Sequence, residues 1–197
     1  MVIMANDTRR KMIEGTVRLL AQKGLTETSF AEVVALTGAP RGSIYHHFPD
    51  GKDQLVASAV DLAGANAQTA IAAWEGLPPH EVTARFLNLW RQVLVRSDFR
   101  AGCSVLAVTI ATDSAELLDT TAGVFRTWRQ SLATLFENGG VGAHEAARFA
   151  ALLIASSEGA VVMARAERSL DPFELVSAEL LAQVPGLSVG EQPEGDR

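Results

Sequence analysis

Residues 29–52 read SFAEVVALTGAPRGSIYHHFPDGK, and this stretch decides the fold. Ser29 followed three residues later by Glu32 is a capping box, a pair that satisfies free backbone donors at a helix start. The helix it opens turns Phe30, Val33 and Val34 inward and ends at Thr37-Gly38. Pro40 cannot continue that helix but suits the first turn of another, where its missing N–H is not needed. The spacing therefore predicts a second helix over Pro40–Phe48, stopped by Pro49, with Asp50 capping the helix that follows. Two short helices joined through a glycine form a helix-turn-helix, whose second helix fits the major groove of DNA.

At 100° per residue Ile44 and Phe48 share a face and anchor this second helix. Gly42, Ser43, Tyr45 and His46 turn to the opposite side or its flanks. Gly42 permits close backbone approach, and Ser43 and Tyr45 offer hydroxyls. Arg41 suits a bidentate contact to guanine. Lys52, with the amides that open its helix, can meet a phosphate. His46-His47 is a poor metal site, because adjacent helical residues point about 100° apart and no further ligand stands at a suitable spacing. No cofactor is expected.

Upstream, Ile13, Val17, Leu20 and Ala21 define one face of a helix over Thr8–Lys23, capped by Asn6 or Asp7 and ended at Gly24. Downstream, the fourth helix runs towards Trp74. Helical periodicity then continues over His80–Arg96, Gly102–Ala111, Ser114–Asn138, Ala143–Arg168 and Pro172–Val184. No segment alternates with a period of two. The expected architecture is all-α: a head over residues 1–52, a larger helical body over 53–185, and a disordered tail over 186–197.

The charge distribution agrees with this division. The chain of 197 residues has a formal net charge of −6. Residues 1–52 nevertheless carry seven Lys/Arg against five Asp/Glu, whereas the remainder carries ten Arg against eighteen acids. A polyanion is drawn to the first quarter and repelled by the rest. Cys103 is the sole cysteine, so no internal disulfide is possible, and this suggests a reducing compartment. The opening MVIMANDTRRK does not read as a signal peptide, and the longest uncharged runs, such as Ala101–Thr112, are short for a bilayer. A cytoplasmic protein without membrane association is the expectation.

The run Gly38 … Ser43-Ile44-Tyr45-His46-His47-Phe48 … Lys52 … Leu55 resembles the DNA-binding motif of the TetR family of bacterial transcriptional regulators. The following Pro-Asp-Gly-Lys and the later Gly102-Cys103-Ser104-Val105 resemble its LmrA/YxaF-like branch. Ala39-Pro40 replaces that family's common Val-Ser. The resemblance implies a homodimeric repressor that binds a palindromic operator and is released by a small hydrophobic effector. On it, Ser29, Arg41, Gly42, Ser43, Tyr45, His46, His47 and Lys52 form the DNA-binding set. Effector binding is expected to shift the fourth helix and so change the spacing of two heads.

Two features of the body bear on that expectation. Ala151, Ala155 and Gly159 recur every four residues, a stripe that lets another helix approach closely, from a second copy or, as in ordinary packing, from the same chain. Phe86 and Trp90 share one helix face, and Phe125 and Trp128 another. The resemblance implies an apolar effector pocket enclosed by the body helices, near which these aromatics and Cys103 are expected. For any single aromatic, filling of the core is the better explanation, and the pocket reading applies to them as a group. Glu158, inside an apolar helix, suits either a ligand contact or the dimer partner. The competing reading of the whole chain is a helical small-molecule-binding module or enzyme whose N-terminal motif is only structural.

Overall fold

The structure, a computed structural model, describes residues 2–184, with side chains from Asp7 onward. The tail expected over 186–197 lies outside the described residues. Among them are nine helices and no strand: α1 (Val2–Glu27), α2 (Phe30–Thr37), α3 (Ser43–His47), α4 (Lys52–Ala72), α5 (Pro79–Arg96), α6 (Ser104–Thr109), α7 (Ala115–Asn138), α8 (Ala143–Glu167) and α9 (Asp171–Ala182). The fold is all-α.

The first helix begins earlier than the periodicity suggested. Because it starts at Val2, neither Asn6 nor Asp7 caps it, and Asp7 instead pairs with Lys11 at 2.7 Å. Gly24 takes φ 77°, a left-handed value that interrupts the helix where its end was expected. Thr28 Oγ1 then donates to the Gly24 carbonyl at 2.7 Å and closes the turn into α2.

Only half of the capping box forms. The Glu32 amide donates to Ser29 Oγ at 3.2 Å, but the Glu32 carboxylate pairs with Lys23 at 2.5 Å and so ties α2 to α1. The helix α3 is also shorter than expected. The Pro40 carbonyl accepts from both the amide and the hydroxyl of Ser43, at 2.9 and 2.7 Å. Arg41 and Gly42 therefore form a turn, and regular helix starts at Ser43. Asp50 does not cap α4. Gly51 holds that position with φ 91°, and Gln54 Oε1 accepts from the Asp50 amide at 3.2 Å.

In the body, α4 and α7 form the most extensive helix pair, followed by α7 with α8. A Cβ on Gly64 of α4 would stand 2.7 Å from Val124 Cγ2 of α7, so only glycine allows this approach. The buried Trp128 indole N–H donates to the Gly64 carbonyl at 3.1 Å across the same seam. Phe136 and Phe149 meet edge-on at 5.2 Å between α7 and α8.

Head and body share packing. The helix α1 lies against α4 and α6. The Gly102 amide donates to the Ala21 carbonyl at 2.9 Å. Arg165 Nη2 reaches the Gln22 and Arg100 carbonyls at 3.4 and 3.2 Å. The helix α8 is long and apolar enough to cross a membrane by length and composition, although no uncharged run in the sequence is. Half of its most apolar window is buried inside the body.

Candidate nucleic-acid interface and body cleft

The second helix of the turn is held from beneath. Ile44 and Phe48 are fully buried, as their shared face requires. Arg9 of α1 places its guanidinium 5.2 Å from the Phe48 ring centroid and donates to Ser58 Oγ at 3.4 Å, bracing α3 against α1 and α4. No spacing signal points to this contact, since Arg9 and Phe48 stand 39 residues apart. His47, half-buried, lies edge-on to Phe48 at 6.5 Å.

The opposite face is open. Arg41, Gly42 and His46 are exposed, and Tyr45 is 66% exposed. Tyr45 leans its ring edge-on against Phe30 of α2 at 5.4 Å. Arg41 and Tyr45 line, with Phe30, Val34 and Ile44, a cleft of 420 Å³ between α2 and α3. Four other cations of the head are engaged: Arg10 with Glu14, Lys11 with Asp7, Lys23 with Glu32, and Arg9 as described. Arg41 makes no ion pair or hydrogen bond among the described residues, so its whole fork is available.

Lys52 and the two serines are partly committed. Lys52, half-buried, donates from Nζ to the Leu25 carbonyl at 2.7 Å, fastening the start of α4 to the end of α1. One of its three donors is thus spent within the head. The Ser29 oxygen serves as the cap of α2, and the Ser43 hydroxyl donates to Pro40.

In the body, the aromatics expected around one pocket are dispersed. Phe86 is buried and Trp90 half-buried in α5. Trp128 meets Phe125 edge-on at 5.7 Å, yet lines a cleft between α4 and α7 that includes Gly64 and Gln68. Phe125 lines a different cleft of 660 Å³ between α6, α7 and α8, with Leu106, Ile154 and Glu158. The stripe residues Ala151, Ala155 and Gly159 line that same cleft and are exposed.

Glu158 is the one buried carboxylate among the described residues, 7% exposed, with neither oxygen hydrogen-bonded. Burial raises its pKa to about 7, and the neighbouring Cys103 thiol pulls it back to a lesser degree. Cys103 is itself pushed well above the ordinary thiol range, by burial first and by Glu158 second. The Cys103 sulfur also accepts from the Leu106 amide at 3.3 Å and so caps α6. A thiol held protonated in this way is a packing and capping group.

An anchored second helix, a glycine turn and a free arginine on the outer face define a helix-turn-helix DNA-binding protein. Comparison with known proteins agrees over most of the chain. Residues 12–59 match the model of bacterial regulatory proteins of the tetR family. Residues 79–179 match the C-terminal domain of LmrA/YxaF-like transcriptional regulators. The chain is similar to the HTH-type transcriptional regulator Rv0196 of Mycobacterium tuberculosis, 34% identical over 188 residues, covering 90% of this chain and 96% of that one. It is similar to YxaF of Bacillus subtilis at 26% identity, covering 88% and 93%. Among solved structures, a TetR-family regulator from Agrobacterium tumefaciens superimposes with a TM-score of 0.81 at 22% identity, covering 92% and 99%. The protein belongs to the TetR family of transcriptional regulators, in its LmrA/YxaF-like branch, and is a DNA-binding regulator rather than an enzyme.

Proposed function

We propose that the protein is a ligand-responsive repressor that binds a palindromic operator as a homodimer and releases it when a small hydrophobic effector enters the body. The observation that carries this reading is the unspent Arg41 beside exposed Gly42, Tyr45 and His46 on a helix whose back is buried. Arg41 reads a base edge, and Tyr45, Ser43, His46, His47, Ser29 and Lys52 position the helix on the flanking backbone.

One such helix spans too little DNA for operator-level specificity, which calls for two copies. The outer faces of α8 and α9 supply the surface. Ala151, Ala155 and Gly159 are exposed beside Leu152, Val162 and Met163, and Leu175 of α9 is 74% exposed. Packing of these faces on a second copy accounts for the apolar character of α8 on both of its sides. The protein acts where the chromosome is, in the cytoplasm.

The test is retardation of a duplex from the gene's own upstream region, with sedimentation of the free protein. A specific complex of two chains per site is expected. A chain that stays monomeric at micromolar concentration, or one that binds all duplexes equally, removes the reading.

A further inference from the structure

The cleft between α6, α7 and α8 pairs an apolar wall with a single buried carboxylate that has no charged partner among the described residues. Leu106, Phe125 and Ile154 form the wall, and Glu158 lines it with both oxygens buried and unbonded. A buried polar group without a partner is rare in folded proteins and calls for an explanation. None of the neighbours supplies a compensating charge. From α7, Arg129 lines the cleft but is exposed. From the segment before α6, the Cys103 thiol neighbours the carboxylate, but it is held protonated and brings no charge. On α8 itself, Arg165 is turned to the Gln22 and Arg100 carbonyls.

A carboxylate at this position disfavours anions, and one carboxylate alone does not make a metal site. No group of three or more potential ligands occurs among the described residues. Arg129 forms no ion pair with Glu158, so what the carboxylate lacks is a positive charge carried on an apolar body that can reach it. We propose that it binds a small lipophilic organic cation, with the charge seated against Glu158 and the body against Leu106, Phe125 and Ile154. The Phe125 ring offers a second attraction for such a charge.

This inference rests on the effector reading above and names its chemical class. In the ligand-free protein Glu158 is close to half-protonated at neutral pH, because burial raises its pKa to about 7. Binding of a cation favours the ionised form, so proton release and ligand uptake are linked. Ala151, Ala155 and Gly159 belong to both this cleft and the proposed dimer face, which gives a ligand direct access to subunit geometry.

The test is calorimetry on the full chain with 2-naphthylmethyltrimethylammonium, charged at every pH, against neutral 2-naphthylmethanol. At pH 8 the cation should bind at least tenfold more tightly than the alcohol. At pH 6 its affinity should fall by up to about tenfold while that of the alcohol stays constant, as expected for one site titrating near 7. Glu158→Gln should abolish both the preference and the pH dependence, with folding checked by thermal melting. Equal affinities, no binding of the cation, or a preference that survives in Glu158→Gln would each overturn the proposal. Operator retardation on the same preparations separates the two readings. Failure of the cation to bind a protein that still recognises its operator removes this site alone, whereas loss of operator recognition by the unliganded protein removes the repressor reading.

Discussion

The indole of Trp128 donates to the backbone carbonyl of Gly64 at 3.1 Å, so the helix that follows the DNA-reading motif is bonded directly to the middle of the body. The partner is a carbonyl, which any residue at position 64 could offer. The close approach, however, depends on the missing side chain. Gly64→Ala places a methyl 2.7 Å from Val124 Cγ2. Val124 is β-branched and has little rotamer freedom to yield. A loss of roughly 1–3 kcal/mol is expected from overpacking, exceeding the gain of about 1 kcal/mol in helix propensity. Thermal melting of Gly64→Ala, and of its combination with Val124→Ala, checks this. Recovery in the double variant is the expected outcome.

Arg41 and Lys52 should separate cleanly. Arg41→Ala should leave the melting temperature unchanged, weaken operator binding by roughly 1–3 kcal/mol and relax preference at one base pair. Lys52→Ala should do two things together. It should lower stability by about 1 kcal/mol, because the Leu25 carbonyl loses its donor. It should also weaken binding to all sequences and flatten the salt dependence. A Lys52→Ala protein with full stability would show that the bond to Leu25 contributes nothing.

Glu158 makes stability depend on pH in a fixed direction. Its pKa is about 7 in the folded chain and near the ordinary 4.5 when unfolded. Between those values the folded state holds the extra proton, so stability is full below about 4.5 and falls as pH rises to about 7. The loss is on the order of 3 kcal/mol. Glu158→Gln should flatten this slope and melt higher than the parent at pH 8. Identical denaturation midpoints for the two proteins at pH 5 and 8 would falsify the assignment.

The α8 face is tested by Ala155→Arg. Ala155 is exposed in the single chain, so the substitution is expected to leave the fold intact and to prevent close approach of a second copy. Sedimentation should report a monomer, and operator affinity should collapse with it. A dimer that persists would place the seam elsewhere.

Periodicity and cap residues revealed the order and type of the helices because each depends on neighbours in sequence. The errors arise where a distant residue competes for the same group. Glu32 leaves its capping role for Lys23 of α1, and Lys52 turns part of its donor capacity to Leu25. The turn at Arg41-Gly42 depends on how Ser43 shares the Pro40 carbonyl, which composition does not reveal. Anchors such as Ile44 and Phe48 were legible, since burial of one face follows from spacing. The aromatic residues of the body were not, because sequence spacing shows which side chains share a helix face but not which cleft that face borders. Glu158 stood out as a charge within an apolar helix, but its isolation became visible only with α6 and α7 in place.

The carbonyls that end α1 are answered from the far side of the molecule: Ala21 by the Gly102 amide, and Gln22 by Arg165. A fragment cut after residue 52 would therefore lose acceptor partners as well as apolar packing, and should not fold into a detachable reading head. Grafting these three N-terminal helices onto another regulator demands a host that presents equivalent donors at the same two places. On the proposed reading, operator specificity is better transplanted through Arg41 to His47 alone, leaving the joint untouched.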